Sequence, residues 1–309
     1  MDLAALTVFR AVAREQSITR AAELLGRVPS NVTTRIQQLE AEIGVSLFQR
    51  DSKRMRLTTE GATYLDYADR ILNLAEEAQQ VVNPAEPVGT LRIGSMESTV
   101  ASRLPLPLAA YNKKWPDVTI DLTTGPTRQL IDALLAHRID GAFIAVPSGE
   151  WWLGPNDLDK IPVFQEELVL LLPPGHPDIE HPADIGPTAM AAFAPGCTYR
   201  MLAEEWLTGL VLSKARFTVQ EVKSYHAMFA CTAAGSCVSI MPRSVANLMQ
   251  HLGPVKEHRL MTVDTYLAWR PGFRTPAFSE FRNTLVEFAD IAEDSEETSA
   301  TPKQIAAPR

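Results

Sequence analysis

The sequence predicts a chain of two unlike parts, a short all-helical N-terminal segment and a long α/β domain, joined by one amphipathic helix. Three observations carry that reading. Apolar residues recur at helical spacing up to about residue 82. Two prolines and a glycine then break the chain at Asn83-Pro84-Ala85-Glu86-Pro87-Val88-Gly89. From Thr90 onward, short apolar runs alternate with helical stretches, which is the pattern of an α/β domain. At 309 residues the chain also exceeds what one small core fills, so more than one domain is expected.

The first helix spans about Leu3 to Ala13. Thr19 is placed to cap a second, short helix that runs through Leu25, where the turn Gly26-Arg27-Val28 ends it. Pro29 and Ser30 open a third helix reaching about Ile43, since proline is tolerated in a first helical turn. This is helix-turn-helix grammar. Ala21, Leu24 and Leu25, then Val32, Ile36, Leu39 and Ile43, give the two helices one core face each. The opposite face of the third helix offers Ser30, Asn31, Thr33, Thr34, Arg35, Gln37 and Gln38, with no acid before Glu40. Hydroxyls, amides and a guanidinium suit base edges and phosphates in a major groove. A polar face on a solvated surface helix has the same composition, and that alternative stays open on these residues alone.

The surrounding motifs narrow the choice. Ala21-Ala22 with Leu24-Leu25 is followed by Ser30, Val32, Thr33, Ile36 and Leu39-Glu40. Gly44, Leu47-Phe48 and Arg50 come next, then Leu57-Thr58 and Gly61. In order and spacing this run of about sixty residues resembles the LysR-type transcriptional regulators. The resemblance implies a winged helix-turn-helix, a long dimerising linker helix, and a C-terminal two-subdomain α/β effector domain like the periplasmic binding proteins. It implies double-stranded DNA at a dyad-like promoter site, a small-molecule effector and a second copy of the chain (dimer or tetramer) as partners, and admits RNA polymerase as a further one. The residues expected to contact DNA are Ser30, Asn31, Thr33, Thr34 and Arg35 on the helix, with Arg50, Lys53 and Arg54 on the wing. Pro29 and Thr34 depart from the family pattern, where Gln and Arg are frequent, so family base preferences do not carry over to this helix.

Charge fits once it is divided. The net charge of -8 opposes nucleic-acid binding for the chain as a whole. Residues 1–60, however, carry nine Lys or Arg against seven acids, leaving 20 against 30 for the rest. Arg50, Lys53, Arg54 and Arg56 form the densest basic cluster, interrupted by Asp51. A phosphate-contacting wing and a solvated basic loop are the two readings of that cluster.

After Gly61, Tyr64, Ala68, Ile71, Ala75, Ala78 and Val82 follow at alternating steps of four and three, a heptad stripe narrow enough for a two-helix partnership. The expected division is therefore 1–60 for the helix-turn-helix, 61–89 for the linker helix and hinge, 90–290 for the regulatory domain, and 291–309 for a polar, acidic tail without fixed structure.

In the regulatory domain, strands are expected at Leu91 to Gly94, Val118 to Leu122, Gly141 to Val146, Leu168 to Leu172, Met190 to Ala194, Phe217 to Val222, Val238 to Met241 and Tyr266 to Trp269, in a mainly parallel sheet. The family resemblance implies two lobes, with chain crossings placed near Ile161 to Glu166 and Asp264 to Trp269. Ligands of such sheets bind beyond the carboxyl ends of strands. Three strand ends run into Ser, Thr and Gly: Ser95-Met96-Glu97-Ser98-Thr99, Thr123-Thr124-Gly125-Pro126-Thr127, and Pro195-Gly196-Cys197-Thr198-Tyr199-Arg200. Ser95, Glu97, Ser98, Thr99, Thr127, Thr198 and Tyr199 are thus the effector-binding candidates, against the plain alternative that they cap helices. Glu97 at such a turn complements a helix dipole. If it faces the cleft it selects an amine, with Glu221 and Tyr199 as partners, while Arg200 pairs with a carboxylate.

No catalytic constellation is present. Six histidines show no metal spacing, and G-x-S-x-G, the P-loop and the dinucleotide fingerprint are all missing. Cys197, Cys231 and Cys237 are odd in number and unpaired in spacing, so no disulfide framework, metal site or cofactor is expected. No leader-like or membrane-spanning run occurs, which points to a cytoplasmic protein without a membrane partner. Two other classes remain: a solute-binding protein using the α/β part, which calls for a signal peptide, and an enzyme on the same fold, which calls for a reactive cluster.

Overall fold

The computed structural model describes residues 2–49, 54–82, 86–147, 158–186, 189–208 and 218–299, without the side chains of Thr208 and of 289–299. The chain divides into two compact units, Met1–Pro84 with Ala136–Arg138, and Ala85–Leu135 with Ile139–Arg309.

In the first unit, α1 (Leu3–Glu15) starts at Asp2, whose carboxylate accepts from the Ala5 N–H at 2.7 Å, and stops at Gln16 in the left-handed region (φ 52°). That stop throws Ser17 into an extended conformation. Ser17, not Thr19, therefore caps α2 (Ile18–Leu24), accepting from the Arg20 N–H at 3.3 Å. α3 (Pro29–Ile43) begins on its proline and ends at Gly44 in the left-handed region. Val32, Ile36 and Leu39 bury its core face as expected. On α2 the duty falls to Ala21 and Ala22, and Leu24 is 68% exposed. Small side chains let so short a helix approach α1 closely, which leaves a leucine on the far side. Phe9 of α1 ties the core together, with its ring 5.5 Å from Phe48 and 5.3 Å from Tyr64.

After α3 the chain forms a narrow antiparallel turn, with Phe48 opposite Leu57 and the Gln49 N–H donating to the Arg56 carbonyl at 2.8 Å. Arg50 and Lys53 lie outside the described residues. α4 (Thr59–Val82) then starts against this turn so closely that a Cβ on Gly61 would stand 2.0 Å from the Leu47 carbonyl oxygen. Its heptad stripe is split by burial. Ala68 and Leu72 are buried in the unit's own core and Tyr64 packs on it, while Tyr67, Ile71, Leu74 and Val82 are exposed.

The second unit is built on one eight-stranded sheet. In chain order the strands are β1 (Gly89–Ser95), β2 (Val118–Thr124), β3 (Gly141–Val146), β4 (Asp159–Leu172), β5 (Ala189–Ala192), β6 (Thr218–Glu221), β7 (Val238–Pro242) and β8 (Lys256–Trp269), arranged β2-β1-β3-β8-β4-β7-β5-β6. The helices are α5 (Glu97–Ser102), α6 (Pro105–Lys114), α7 (Thr127–Leu135), α8 (Thr198–Thr208), α9 (Tyr225–Ala233), α10 (Arg243–Asn247) and α11 (Pro276–Ser299). α11 carries helical backbone to Ser299, into the stretch read from sequence as a tail; residues 300–309 lie outside the described set. Once Phe278, Phe281 and Leu285 are buried, each further residue propagates an existing helix, which costs far less than nucleating one.

The sheet is mixed rather than mainly parallel. β2, β1 and β3 are parallel at one end and β6, β5 and β7 at the other, each set being one lobe. Between them β4 and β8 run antiparallel, paired from Asp159 with Trp269 to Leu172 with Lys256. β8 lies beside β3 over Asp264–Trp269, and β4 beside β7 over Leu168–Leu171. The first crossing thus falls where expected, at the end of 161–166. The second falls before Asp264, because Asp264–Trp269 is already paired within the first lobe.

Candidate functional site

Two sites follow from the elements just described, one in each unit. In the first, the turns of α3 that precede Glu40 present Ser30, Asn31, Thr33 and Thr34 to solvent, with Gln37 and Gln38 beyond them. The Thr33 hydroxyl donates to the Pro29 carbonyl at 3.0 Å, leaving its lone pairs outward. Glu40, the first acid on the helix, is turned away from that face. Its carboxylate accepts from the N–H groups of Leu47 at 2.6 Å and Phe48 at 3.1 Å, so it fixes the start of the basic turn. Arg54 and Arg56 on the returning limb are exposed.

Arg35 departs from its expected place. Its guanidinium pairs with the carboxylate of Asp2, the residue that caps α1. The backbone N–H of Ala5 and the Arg35 charge hold the Asp2 carboxyl below its ordinary range. Arg35 can meet another anion only by sharing or leaving this partner. Sequence spacing put Arg35 near the polar face of α3, but nothing in it showed that the start of α1 comes within reach.

The second site lies within the regulatory unit, where four strand ends meet. A cavity of about 410 Å³ opens between the turn after β1 (Met96, Glu97), the turn after β2 (Thr124 to Thr127), the turn after β5 (Phe193 to Tyr199) and the turn after β6 (Val222 to Tyr225). That volume is within the range of small-molecule sites. Three of the seven expected residues line it: Glu97, Thr127 and Tyr199. Ser95, Ser98, Thr99 and Thr198 are buried and are not part of the lining. Thr198, at the start of α8, instead donates to the Thr127 hydroxyl at 2.9 Å, a bond from one lobe to the other.

The remaining wall is apolar and aromatic, with Met96, Pro126, Phe193 and Tyr225. The rings of Phe193 and Tyr225 meet edge to face at 4.8 Å. Lys223 and Tyr225, not among the residues expected from sequence, come from the end of β6, where Val222-Lys223-Ser224-Tyr225 is a strand-end turn like the other three. Arg200 faces elsewhere. Its guanidinium donates to the Phe193 carbonyl and to Glu204, both at 2.8 Å, and lies 3.7 Å from Glu221.

Burial pushes the Glu97 carboxyl above the usual carboxylate range, partly offset by His226 and the Tyr225 N–H. Burial also raises the Tyr199 and Tyr225 hydroxyls and the Cys197 thiol. The phenols and the thiol are accordingly protonated near neutrality, which suits a binding surface and gives no nucleophile. Among the described residues no cluster of His, Cys, Asp or Glu could hold a metal ion, and no helix is long and apolar enough to cross a membrane.

On the far side of α5 from Glu97, Arg103 donates to the buried Glu166 on β4 at 2.7 Å, and the Ser244 hydroxyl of α10 donates to the same carboxylate at 2.7 Å. One acid thus holds the crossing strand to both lobes.

Comparison with known proteins matches both units. The profile of the bacterial regulatory helix-turn-helix proteins of the lysR family covers residues 3–62, and that of the LysR substrate binding domain covers residues 84–290. An uncharacterized HTH-type transcriptional regulator, YusT of Bacillus subtilis, is 38% identical over 84% of this chain and 85% of its own. The HTH-type transcriptional regulator GltR of the same organism is 36% identical over 91% of this chain and 95% of its own. Among solved structures, full-length CbnR complexed with its target DNA aligns over 93% of this chain and 100% of its own, at 24% identity and a TM-score of 0.63. A full-length OxyR variant from Pseudomonas aeruginosa aligns over 94% and 95%, at 22% identity and a TM-score of 0.68. These structures share the fold.

Proposed function

This chain belongs to the LysR family of bacterial helix-turn-helix transcriptional regulators, and from that premise we propose which of its residues contact DNA and where its effector binds. It is a DNA-binding regulator with an effector-binding domain, and not an enzyme.

We assign DNA contact to Ser30, Asn31, Thr33 and Thr34 on α3, to Arg35 once released from Asp2, and to Arg50, Lys53 and Arg54 on the wing. What carries this reading is the exposed run Ser30, Asn31, Thr33 and Thr34, which has no acid before Glu40, itself turned to the Leu47 and Phe48 N–H groups. Base edges are read by the short polar groups and phosphates held by the wing. One such helix supplies few contacts, so two copies reading a dyad-like site are required. The exposed stripe Tyr67, Ile71, Leu74 and Val82 on α4 is the surface that pairs them. The division into 1–60, 61–89 and 90–290, cytoplasmic location and any contact with RNA polymerase belong to this same proposal.

We place the effector in the cavity at the four strand ends. Its walls come from both lobes, so an occupant that fits one lobe arrangement better shifts the balance between arrangements. Fluorescence anisotropy with duplex DNA tests the contact assignment. Arg54→Ala is expected to weaken binding evenly across sequences and to reduce the salt slope by about 1. Asn31→Ala is expected to relax sequence preference at one position. Variants indistinguishable from wild type in both respects would remove α3 and the wing from the interface.

A further inference from the structure

We propose that the effector of this chain carries an amino group on an apolar or aromatic body, with that group held at Glu97. The inference rests on the effector cavity proposed above and names the chemistry of its occupant.

The lining supplies the argument. Glu97 is partly buried in the wall and forms no ion pair among the described residues, while its desolvation is only partly offset by His226 and the Tyr225 N–H. A carboxylate in that setting gains most from a cation that brings its own charge into the cavity. Tyr199, 3% exposed, lines the same wall, but its hydroxyl is buried beside those of Ser98 and Thr265, which do not line the cavity. An ammonium has three donors and no acceptor, which suits the Glu97 carboxylate.

The rest of the wall fits the body that would carry the amine. Tyr225 feels the charge of Glu97 as well as the Tyr199 hydroxyl, which places the acid beside the aromatic pair formed with Phe193. Aromatic faces attract cations as well as apolar surface.

An anion finds no guanidinium in the wall. Arg200, the guanidinium nearest in sequence, is committed to the Phe193 carbonyl, Glu204 and Glu221 and does not line the cavity. Lys223 lines it but is exposed. There its charge is screened by water, enough to accept the carboxylate of a zwitterion at the mouth but not to neutralise Glu97.

Isothermal titration of the full chain with three probes sharing one phenyl body tests this: 2-phenylethylamine, L-phenylalanine and 3-phenylpropionate. The amine is expected to bind at least about tenfold more tightly than the propionate, with L-phenylalanine nearer the amine. Glu97→Gln, checked for folding by its thermal unfolding profile, is expected to abolish that preference. Propionate binding as tightly as the amine would overturn the amine class while leaving the effector cavity in place. Amine binding that persists in Ala194→Trp, which fills the cavity, would lie outside it and overturn both. Absence of binding by all three probes would also overturn the amine inference.

Discussion

Asp2 illustrates how one residue can serve the fold and restrain the function. Its carboxylate caps α1 and at the same time occupies Arg35. Asparagine caps a helix as well as aspartate does but carries no charge. Asp2→Asn is therefore expected to tighten DNA binding at low salt with the unfolding temperature little changed; unchanged affinity would mean that Arg35 takes no part in binding. Glu166 is the converse case, a buried acid whose two partners come from different lobes. Glu166→Ala strands Arg103 beside a cavity, and removing one partner of a buried pair typically costs about 3–5 kcal/mol. Chemical denaturation should show the lower part of that range, because Arg103 retains some solvent and the Gln165 carbonyl. Neither role was legible in the sequence. Spacing along a helix tells which residues share a face, as it did for Val32, Ile36 and Leu39. It does not tell which distant backbone or side chain that face meets.

At the scale of elements, the helices were easier to read than the strands. α3 runs from Pro29 to Ile43 as its proline, apolar period and glycine predict. β4 and β8 run to 14 residues each, where only Leu168 to Leu172 and Tyr266 to Trp269 were expected. Their outer halves, such as Asp159-Lys160 and Lys256-Glu257-His258, are charged, because a strand that bridges two lobes is covered only where a lobe lies over it. The single α4 seam that the spacing predicts divides in two. Tyr64, Ala68 and Leu72 face their own core, and the exposed residues that we propose for pairing are Tyr67, Ile71, Leu74 and Val82. Ile71→Asp is accordingly expected to convert dimers to monomers in sedimentation experiments without unfolding the chain, whereas Ala68→Asp unfolds the N-terminal unit. Gly61→Ala tests the junction before α4. With a Leu47 oxygen 2.0 Å from the new Cβ, backbone must move, and a loss of about 1–3 kcal/mol in the N-terminal unit's stability is expected.

For the whole molecule, the net charge of -8 is misleading until it is divided between two units of different chemistry. One gathers basic and short polar groups around α3, and the other places an acid and aromatic rings around a cavity. The first was legible because its motifs are local and contiguous. The second was half legible, since strand-end turns can be found from sequence, but which side chains enter the cavity depends on packing. Ser98 and Thr99 turn inward, while Lys223 and Tyr225 enter the lining from the end of β6. We propose that paired copies of this chain read two half-sites on one DNA face through α3. DNase footprinting of the full chain on the DNA flanking its own gene tests this. Two protected half-sites about one helical turn or a multiple apart are predicted, weakened by added salt and lost in Ile71→Asp. A single protected half-site unaffected by Ile71→Asp, or no protection at any salt concentration, would contradict it.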